Sequence, residues 1–403
     1  MANNSEQWVQ EIIKPTGITI NGSNPWDIRI INSNFYSRIK KQGSLGLGES
    51  YMDGWWECDK LDEFFYRLLS FDISDRIGLS LPVLLGFIRA KLFNLQAIKR
   101  AFQVGEKHYD IGNDLFMAML GKTMTYSCGY WKDTNYLDEA QEAKLNLICR
   151  KLNLQKGQRV LDIGCGWGSF ALYAAKNYGV KVVGITVSKE QIKLAKELCK
   201  GLPVEFRLQD YRELNDPPSL LPPLKLRMGK KASTVAEAMA DKSDGQEKFD
   251  HIVSIGMFEH VGSKNYRIFM EIAKKCLREN GLFLLHTIGK PKTGNDTDPW
   301  TNRYIFPNGM LPSLKHIVSS IEGLFIIEDL HNFGADYDKT LMAWHENFEN
   351  EWPRLKNKYC ERFYRMWNYY LLSSAGSFRA RAIHLWQIVL SPHGVPEGYK
   401  SVR

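Results

Sequence analysis

The chain has 403 residues, of which 44% are hydrophobic and 24% are charged. This composition is typical of a globular protein with a large core, and it excludes a mainly disordered or fibrous chain. The net charge of +8 favours an anionic partner, either a membrane surface or nucleic acid, and does not choose between them. Seven scattered cysteines without a C-x-x-C pair indicate free thiols in a reducing compartment.

Neither export nor membrane insertion is predicted. The first residues form no basic segment and no apolar segment, so we expect no secretory signal. No apolar run approaches the roughly 20 residues that are needed to span a bilayer. A role at a membrane would therefore be peripheral, with the chain in the cytoplasm.

Residues 1–100 predict a small, mostly helical unit. An apolar stripe at helical spacing supports this, and it comprises Trp55, Trp56, Leu61, Phe64, Phe65, Leu68 and Leu69. The apolar segment 79–95 ends near Lys99 and Arg100. We expect this segment to be a buried core helix, and a basic amphipathic helix lying on lipid is the alternative.

Residues 101–403 predict an α/β domain in which strands alternate with helices. The seven predicted strands are 159–163, 180–186, 204–208, 250–255, 281–286, 324–329 and 384–390. Such alternation implies a mostly parallel sheet with helices on both faces. The segment 215–248 contains four prolines followed by a Lys/Ala/Asp-rich stretch, and we expect a flexible insertion there.

The first of these strands runs into a glycine-rich turn, LDIGCGWG at residues 161–168. The G-x-G-x-G spacing of Gly164, Gly166 and Gly168 differs from the dinucleotide-binding G-x-G-x-x-G. It suits a small ligand with a carboxylate and a ribose, such as S-adenosylmethionine. We expect the turn's N–H groups and the following helix N-terminus to hold the carboxylate, and Asp162 to face the ammonium.

The ends of the next two strands offer further groups to such a ligand. Thr186 and Gln191 are the hydrogen-bonding candidates for the ribose, where an acidic residue is more usual. Asp210 and Tyr211 can hydrogen-bond and stack on an adenine. The alternative for these polar residues is helix capping or a solvated turn, and a plain N-cap role for Thr186 or Ser188 is as well supported as a role in binding.

Two titratable residues follow strands four and five at the same sheet edge. Glu259 and His286 are candidates for an acid/base or anion-holding pair. The alternative is a structural hydrogen bond between the two side chains. A metal site that adds His260 is disfavoured, because the spacing matches no standard ligand set.

Aromatic and small residues precede and follow this core. The segment 126–131, with Cys128 at its centre, could form a lid over the ligand, and we expect the Cys128 thiol to be buried and inert. Tyr337 begins a late helix that carries Trp344, and it could reach the same pocket. Capping of that helix by Asp336 is the alternative.

Several long motifs recur in the order found in one family. They are ESYMDGWW (49–56), HYDIGND (108–114), YSC (126–128), LDIGCGWG (161–168), GMFEHVG (256–262), YIFPNG (304–309) and GSFRAR (376–381). Together they make the chain resemble the bacterial cyclopropane-fatty-acyl-phospholipid synthases over nearly its whole length. The mycolic-acid cyclopropane synthases look similar across the core but lack the N-terminal unit.

This resemblance implies a class I methyltransferase core with a seven-stranded Rossmann-like sheet, preceded by a lipid-binding domain at residues 1–100. It implies transfer of a methylene group from S-adenosylmethionine to the cis double bond of an acyl chain in a membrane phospholipid, which leaves S-adenosylhomocysteine. Bicarbonate is the implied base, held by Cys128, Glu259, His286, Ile288 and Tyr337, with Cys128 and Ile288 acting through backbone groups. Tyr126 and Ser127 are implied to contact the cofactor.

The resemblance also implies a homodimer at the inner face of the cell membrane. Two departures stand out, namely the long insertion at 215–248 and Ser374, where relatives often carry a cysteine. The serine argues against a covalent thiol step at that position. A carbocation formed on the acyl chain would need a dry pocket with aromatic walls, for which the candidates are Phe258, Tyr130, Trp131, Tyr337 and Trp344.

Two other functions stay open at this point. One is a lipid or small-molecule methyltransferase that does not close a ring. The other is a lipid-binding protein with a vestigial cofactor pocket, against which the intact glycine turn argues. Nucleic-acid methylation is disfavoured, because strand four lacks the Asn/Asp-Pro-Pro-Tyr/Phe motif and no basic recognition module flanks the core.

Overall fold

The computed structural model describes residues 2–71, 112–215, 242–243, 246–294 and 297–403. The predicted segment 79–95, the basic residues near 100, the first part of the 108–114 motif and most of the 215–248 insertion lie outside these ranges. The domain boundary predicted at residue 100 lies outside them as well.

Helices form most of the N-terminal part of the chain. They are α1 (Ala2–Ile13), α2 (Asn34–Gln42), α3 (Ser44–Met52) and α4 (Leu61–Ser70), with a short antiparallel pair, β1 (Arg29–Ile30) and β2 (Trp56–Glu57). Phe64, Phe65 and Leu68 are buried along α4. The predicted helical stripe begins too early, because Trp56 lies in β2, where backbone pairing with β1 fixes it before α4 starts.

A seven-stranded sheet organises the rest of the chain. Its strands are β3 (Arg159–Ile163), β4 (Lys181–Thr186), β5 (Val204–Leu208), β8 (Phe249–Ile255), β9 (Leu277–Gly289), β10 (Ile326–Asn332) and β11 (His384–Ser391), in the order β10-β11-β9-β8-β3-β4-β5. From β9 to β5 all neighbours are parallel, and β11 is antiparallel to both β9 and β10. The predicted seven-stranded, mostly parallel α/β sheet is therefore confirmed.

Helices cover both faces of this sheet. They are α5 (Asn113–Leu120), α6 (Leu137–Lys151), α7 (Ser169–Tyr178), α8 (Lys189–Leu198), α9 (Tyr266–Cys276), α10 (Pro299–Tyr304), α11 (Leu314–Ile321), α12 (Ala335–Leu355) and α13 (Glu361–Arg379). Successive residues of β3 point to opposite faces. Val160 joins a core with α6, α7 and α8, whereas Leu161 joins a core with α9 and α11. Within the insertion, β6 (Lys242–Ser243) pairs with β7 (Gln246–Glu247).

The N-terminal helices pack directly on the C-terminal helix α13. The Arg365 Nε group donates to the Tyr51 carbonyl at 2.6 Å, and its Nη1 atom lies 2.8 Å from Glu57. The Arg379 guanidinium forms ion pairs with Asp62 on α4 at 2.8 Å and with Asp338 in the first turn of α12 at 2.9 Å. These contacts fix α3 and α4 against the helices that border the site. No helix in the described part of the chain combines the length and apolar character needed to cross a membrane.

Candidate active site

The glycine turn connects β3 to α7 at the carboxyl edge of the sheet. Gly164, Gly166 and Gly168 have φ angles of 87°, 54° and 82°, a region that L side chains rarely adopt. A Cβ on Gly168 would lie 2.8 Å from Phe206, whereas a Cβ on Gly166 would meet no atom within 4 Å. The backbone at Gly166 therefore borders open space in which a ligand can approach closely.

Several N–H groups of this turn are already used within the protein. Those of Gly164 and Cys165 both donate to the Ile185 carbonyl at 3.0 Å, and that of Gly168 donates to the Cys165 carbonyl at 2.9 Å. These three donors are not available to a ligand carboxylate. The sequence-based expectation that the turn's N–H groups hold the carboxylate is therefore too broad, because β4 takes part of them to close the turn.

Asp162 lies at the end of β3 and is buried beside the cavity. Burial raises the pKa of its carboxyl to about 7, and the nearby Lys144 opposes this rise. Lys144 is itself fully buried on α6, and its Nζ donates to Ser127 Oγ at 2.9 Å. One turn earlier, Gln141 donates to the Ser127 carbonyl at 2.8 Å. Sequence reasoning found Asp162 and Ser127 but missed the two α6 residues that hydrogen-bond to Ser127.

The residues predicted to face the ribose pair with each other. Thr186 Oγ1 donates to Gln191 Oε1 at 2.8 Å, and both residues line the cavity. Ser188 is the N-cap of α8, because its side chain accepts the Gln191 N–H at 3.3 Å. The capping alternative therefore holds for Ser188, while Thr186 and Gln191 remain at the cavity wall.

The residues predicted to contact the adenine also lie at the cavity. The Asp210 carboxylate is paired with Arg212 at 2.7 Å. The Tyr211 ring packs edge-on against Phe269, with centroids 5.1 Å apart. Its hydroxyl is buried without a hydrogen-bond partner among the described residues, and burial raises the pKa of Tyr211 to about 12.

Glu259 and His286 lie at neighbouring strand ends, as predicted, but they do not hydrogen-bond each other. Glu259 Oε1 accepts the Ile288 N–H at 2.6 Å, and His286 Nδ1 lies 3.2 Å from Gln387 Nε2. The opposite atoms, Glu259 Oε2 and His286 Nε2, are buried and have no partner among the described residues. Both residues line the cavity, so each places one buried, unsatisfied polar atom at or just behind the cavity wall.

Burial sets the charge of both groups. It raises the pKa of Glu259 to about 7 and holds the pKa of His286 well below its usual range. Because the Gln387 amide can only donate to Nδ1, the proton of the neutral imidazole lies on Nε2. His286 thus offers an N–H donor to the cavity, and Glu259 offers a carboxyl group that titrates near neutrality.

The segment 126–131 is fixed beside the site, and only its first two residues, Tyr126 and Ser127, are among the described residues that line the cavity. The Gly129 N–H donates to Thr340 Oγ1 at 3.0 Å, and the Trp131 N–H donates to Asp336 at 2.8 Å. Asp336 therefore holds this segment and does not cap α12, since no side chain caps that helix. The Cys128 thiol is buried, and burial raises its pKa, which fits the prediction of an inert thiol.

Aromatic side chains border the cavity beside this segment. Tyr337 stacks on Phe378 with centroids 4.5 Å apart, and the Tyr126 hydroxyl is 2.8 Å from that of Tyr370. All four of these residues line the cavity. Of the aromatic walls proposed from the sequence, Tyr337 lines the cavity, whereas Tyr130, Trp131 and Trp344 do not. Phe258 instead stacks on Tyr266 in the core, because the short helix at Phe258–His260 turns it inward.

One cavity of about 1540 Å³ connects the glycine turn with the predicted site residues that line it, which are Tyr126, Ser127, Asp162, Thr186, Gln191, Asp210, Tyr211, Glu259, His286, Ile288 and Tyr337. From the glycine turn it passes Glu259 and His286 and continues between apolar side chains of the N-terminal helices. Those side chains are Trp8, Val9, Ile12, Ile13, Phe35, Ile39, Phe64, Phe65, Leu68 and Leu69. In the described ranges, no group of three or more His, Cys, Asp or Glu side chains is arranged to hold a metal ion.

The sheet order and the glycine turn beside an acidic strand end define an S-adenosylmethionine-dependent methyltransferase of class I. A methyltransferase-domain model matches residues 161–283. A second model, described as mycolic acid cyclopropane synthetase, matches residues 96–220 and 227–388. The chain belongs to this cyclopropane synthase family.

Individual relatives agree with this assignment and confirm the resemblance stated from the motifs. A cyclopropane-fatty-acyl-phospholipid synthase from Escherichia coli K12 is 52% identical over 393 residues, which cover 98% of this chain and 94% of the relative. The cyclopropane synthase MmaA2 from Mycobacterium tuberculosis has a TM-score of 0.60 at 29% identity, covering 72% of this chain and 97% of that one. CmaA1, solved with SAH and CTAB, has a TM-score of 0.59 at 30% identity over 72% and 97%.

Proposed function

We infer that the protein transfers a methylene group from S-adenosylmethionine to the cis double bond of an unsaturated acyl chain in a membrane phospholipid. The products are a cyclopropane fatty acyl phospholipid and S-adenosylhomocysteine. One observation carries this proposal. The unsatisfied atoms of Glu259 and His286 share a cavity with the glycine turn and with an apolar channel between the N-terminal helices.

The reaction requires dry surroundings, and the mostly apolar lining of this cavity supports the proposal. An alkene is a weak nucleophile, and attack on the sulfonium methyl group leaves a carbocation that water would capture. Aromatic faces such as that of Tyr337 stabilise a cation without reacting with it. Burial disfavours the charged forms of both His286 and Glu259, which limits the net charge in the channel into which the acyl chain must enter.

We propose that bicarbonate binds between Glu259 and His286. The two groups suit a small oxyanion, because His286 Nε2 and Glu259 Oε2 both lack a hydrogen-bond partner among the described residues and both residues line one cavity. Tyr337 borders the same space, and backbone groups of Cys128 and Ile288 complete the proposed set. The Ile288 N–H already donates to Glu259, so Ile288 also orients that carboxyl. Bicarbonate, when bound, supplies the base for loss of a proton from the added methyl group.

Residues 1–100 are proposed to be the lipid-binding domain and to place the protein on the inner face of the membrane. Apolar side chains are exposed there, with Ile31 63% and Phe71 45% accessible. The net charge of +8 favours an anionic lipid surface. The apolar part of the cavity is lined by helices of the same unit, which supports entry of an acyl chain from the bilayer on this side.

A homodimer is also part of the proposal. The edge strand β10 exposes Ile326, Ile327 and Leu330, and an exposed apolar edge strand is usually covered by a partner. Sedimentation velocity of the wild-type protein and of Ile327→Lys tests this. We expect the wild type to be a dimer and the lysine of Ile327→Lys to dissociate it. A monomeric wild type would remove the dimer from the proposal.

Transfer of label tests the proposed activity. The protein is incubated with methyl-labelled S-adenosylmethionine and vesicles of unsaturated phospholipid, with matched saturated vesicles and duplex DNA as controls. We expect label in the unsaturated lipid alone. Equal labelling of saturated lipid, labelling of DNA, or donor consumption without labelled lipid would each contradict the proposal.

A further inference from the structure

We infer that Lys144 binds the α-carboxylate of S-adenosylmethionine and, with Asp162, recognises the two charged groups of the donor's amino-acid end. This inference rests on the donor named in the proposed function. It adds a binding residue from α6, a helix in which sequence reasoning placed none. Three independent observations support it: the buried ammonium, the occupied backbone donors and the opposite charge at Asp162.

The Lys144 ammonium is buried at the cavity with spare capacity to donate. Its side chain is fully buried and lines the cavity together with Ser127 and Asp162. An ammonium has three N–H donors, and within the described part of the chain it has one hydrogen bond, to Ser127 Oγ at 2.9 Å. No carboxylate of the described residues lies within ion-pair distance. Because a buried unpaired charge is costly, this position favours an anionic ligand.

A second buried lysine on the same helix shows how the protein satisfies such a group elsewhere. Lys151 lies two turns further along α6 and is equally buried. Its Nζ is 3.5 Å from Asp329 and 3.2 Å from His331 Nδ1, and it does not line the cavity. The lysine without access to the cavity has a carboxylate partner, and the lysine at the cavity does not.

The glycine turn supplies fewer donors to a ligand carboxylate than its sequence suggests, so a separate cation is needed, and Lys144 can fill that role. The Gly164 and Cys165 N–H groups both donate to Ile185, so they cannot also hold a ligand carboxylate. Lys144 approaches the site from α6, on the sheet face toward which Asp162 points, since Asp162 and Val160 share one face of β3 and Val160 packs with α6. A positive and a negative group therefore face the same part of the cavity.

The two groups are poised for a ligand that carries both charges. Burial lowers the pKa of Lys144 to about 7 and raises the pKa of Asp162 to about 7. A carboxylate beside Lys144 and an ammonium beside Asp162 each favour the charged form of the protein group. Binding of the zwitterionic end of the donor would thus restore both charges in a site that disfavours either one alone.

Decarboxylated S-adenosylmethionine, which lacks only the carboxylate, makes the test specific. Binding of S-adenosylmethionine and of this analogue is measured by calorimetry on the wild type, Lys144→Met and Lys144→Gln, with Lys151→Met as the matched control. We expect the wild type to prefer S-adenosylmethionine at least tenfold, and both Lys144 variants to weaken it about tenfold to a hundredfold. The affinity of the Lys144 variants for the analogue should change less than threefold, and Lys151→Met should change the affinity for neither ligand.

Three results would overturn the inference. The first is an equal loss of affinity for both ligands in the Lys144 variants. The second is an unchanged affinity for S-adenosylmethionine with unchanged turnover. The third is a lower turnover at unchanged donor affinity, which would mean that the Lys144 charge acts on the proton-accepting base. If neither variant folds, equal wild-type affinity for the two ligands overturns it, and a tenfold preference supports it. If the wild type prefers S-adenosylmethionine over the analogue but leaves the lipid unlabelled, the proposed activity is refuted and this inference is not.

Discussion

Replacement of Glu259 by glutamine separates proton chemistry from packing at the centre of the site. The glutamine keeps the side-chain length and the acceptor for the Ile288 N–H, which lies 2.6 Å from Glu259 Oε1. It replaces Oε2, which is buried and unpartnered among the described residues, with an amide that cannot titrate. The fold should therefore survive while the proton-handling atom is lost.

The expected effect is large and confined to turnover. Loss of a positioned acid or base typically costs a factor of about 10² to 10⁴, which corresponds to about 3–5 kcal/mol of transition-state stabilisation. The Kd for S-adenosylmethionine should stay within threefold of wild type, because the glycine turn is unchanged. Single-turnover transfer of label to unsaturated vesicles measures the first quantity, and calorimetry measures the second.

Two comparisons complete this experiment. Glu259→Ala removes the acceptor for the Ile288 N–H and should destabilise the fold by a further 1–3 kcal/mol or so. Asp329→Asn changes a buried carboxylate outside the cavity, which is paired with Arg403 at 2.6 Å, and should lower stability without lowering turnover. Glu259→Gln turnover within threefold of wild type, or a loss of donor affinity equal to the loss of turnover, would refute the reasoning.

Three further predictions address neighbouring residues and pH. Gln387→Leu removes the donor to His286 Nδ1, so turnover should fall about tenfold or more at unchanged donor affinity; full activity would contradict this role. Gly166→Ala should weaken donor binding in calorimetry, whereas Gly168→Ala should mainly lower the melting temperature, because only the second Cβ meets a core side chain; the reverse pattern would be contradictory. The contribution of Glu259 to the stability of the ligand-free protein should fall from pH 5 to pH 7, because burial raises the folded pKa of Glu259 from 4.5 to about 7 and the folded state binds that proton more tightly. In urea unfolding, the stability of the wild type relative to Glu259→Gln should fall by at most about 1.4 kcal/mol per pH unit, and a stability difference that does not change with pH would count against the raised pKa.

Local sequence patterns predicted the sheet well and its antiparallel end less well. The strand at 159–163 is found with the predicted bounds, because a short apolar run between a turn and a glycine motif has clear ends. Strand β9 was predicted to stop at residue 286, but it continues to Gly289. Its last residues pair with β11, where Gly289 lies opposite His384. Such long-range pairing leaves no mark in the local pattern.

The site was predictable for residues in the last part of a strand or just after it, and was missed for residues that come from elsewhere. Asp162 and His286 lie near the ends of β3 and β9, and Glu259 follows β8. Lys144 was missed because a lysine in a helix usually points to solvent. The available signal was its phase, since Lys144 lies on the same face of α6 as the buried residues Ala140 and Ile148. Gln387 on β11 reaches His286 only through the sheet pairing, in which the two residues are opposite each other.

The central claim is that the transferred carbon ends in a three-membered ring within the lipid. The most direct measurement is carbon and proton NMR of phospholipid extracted after incubation of the protein with unsaturated vesicles and methyl-¹³C S-adenosylmethionine. We predict that the label appears as a high-field ring CH₂ group with two inequivalent protons, and that the olefinic signals of the same chain decrease in proportion. Label in an open-chain methyl or methylene group, with no high-field signal, would contradict the account.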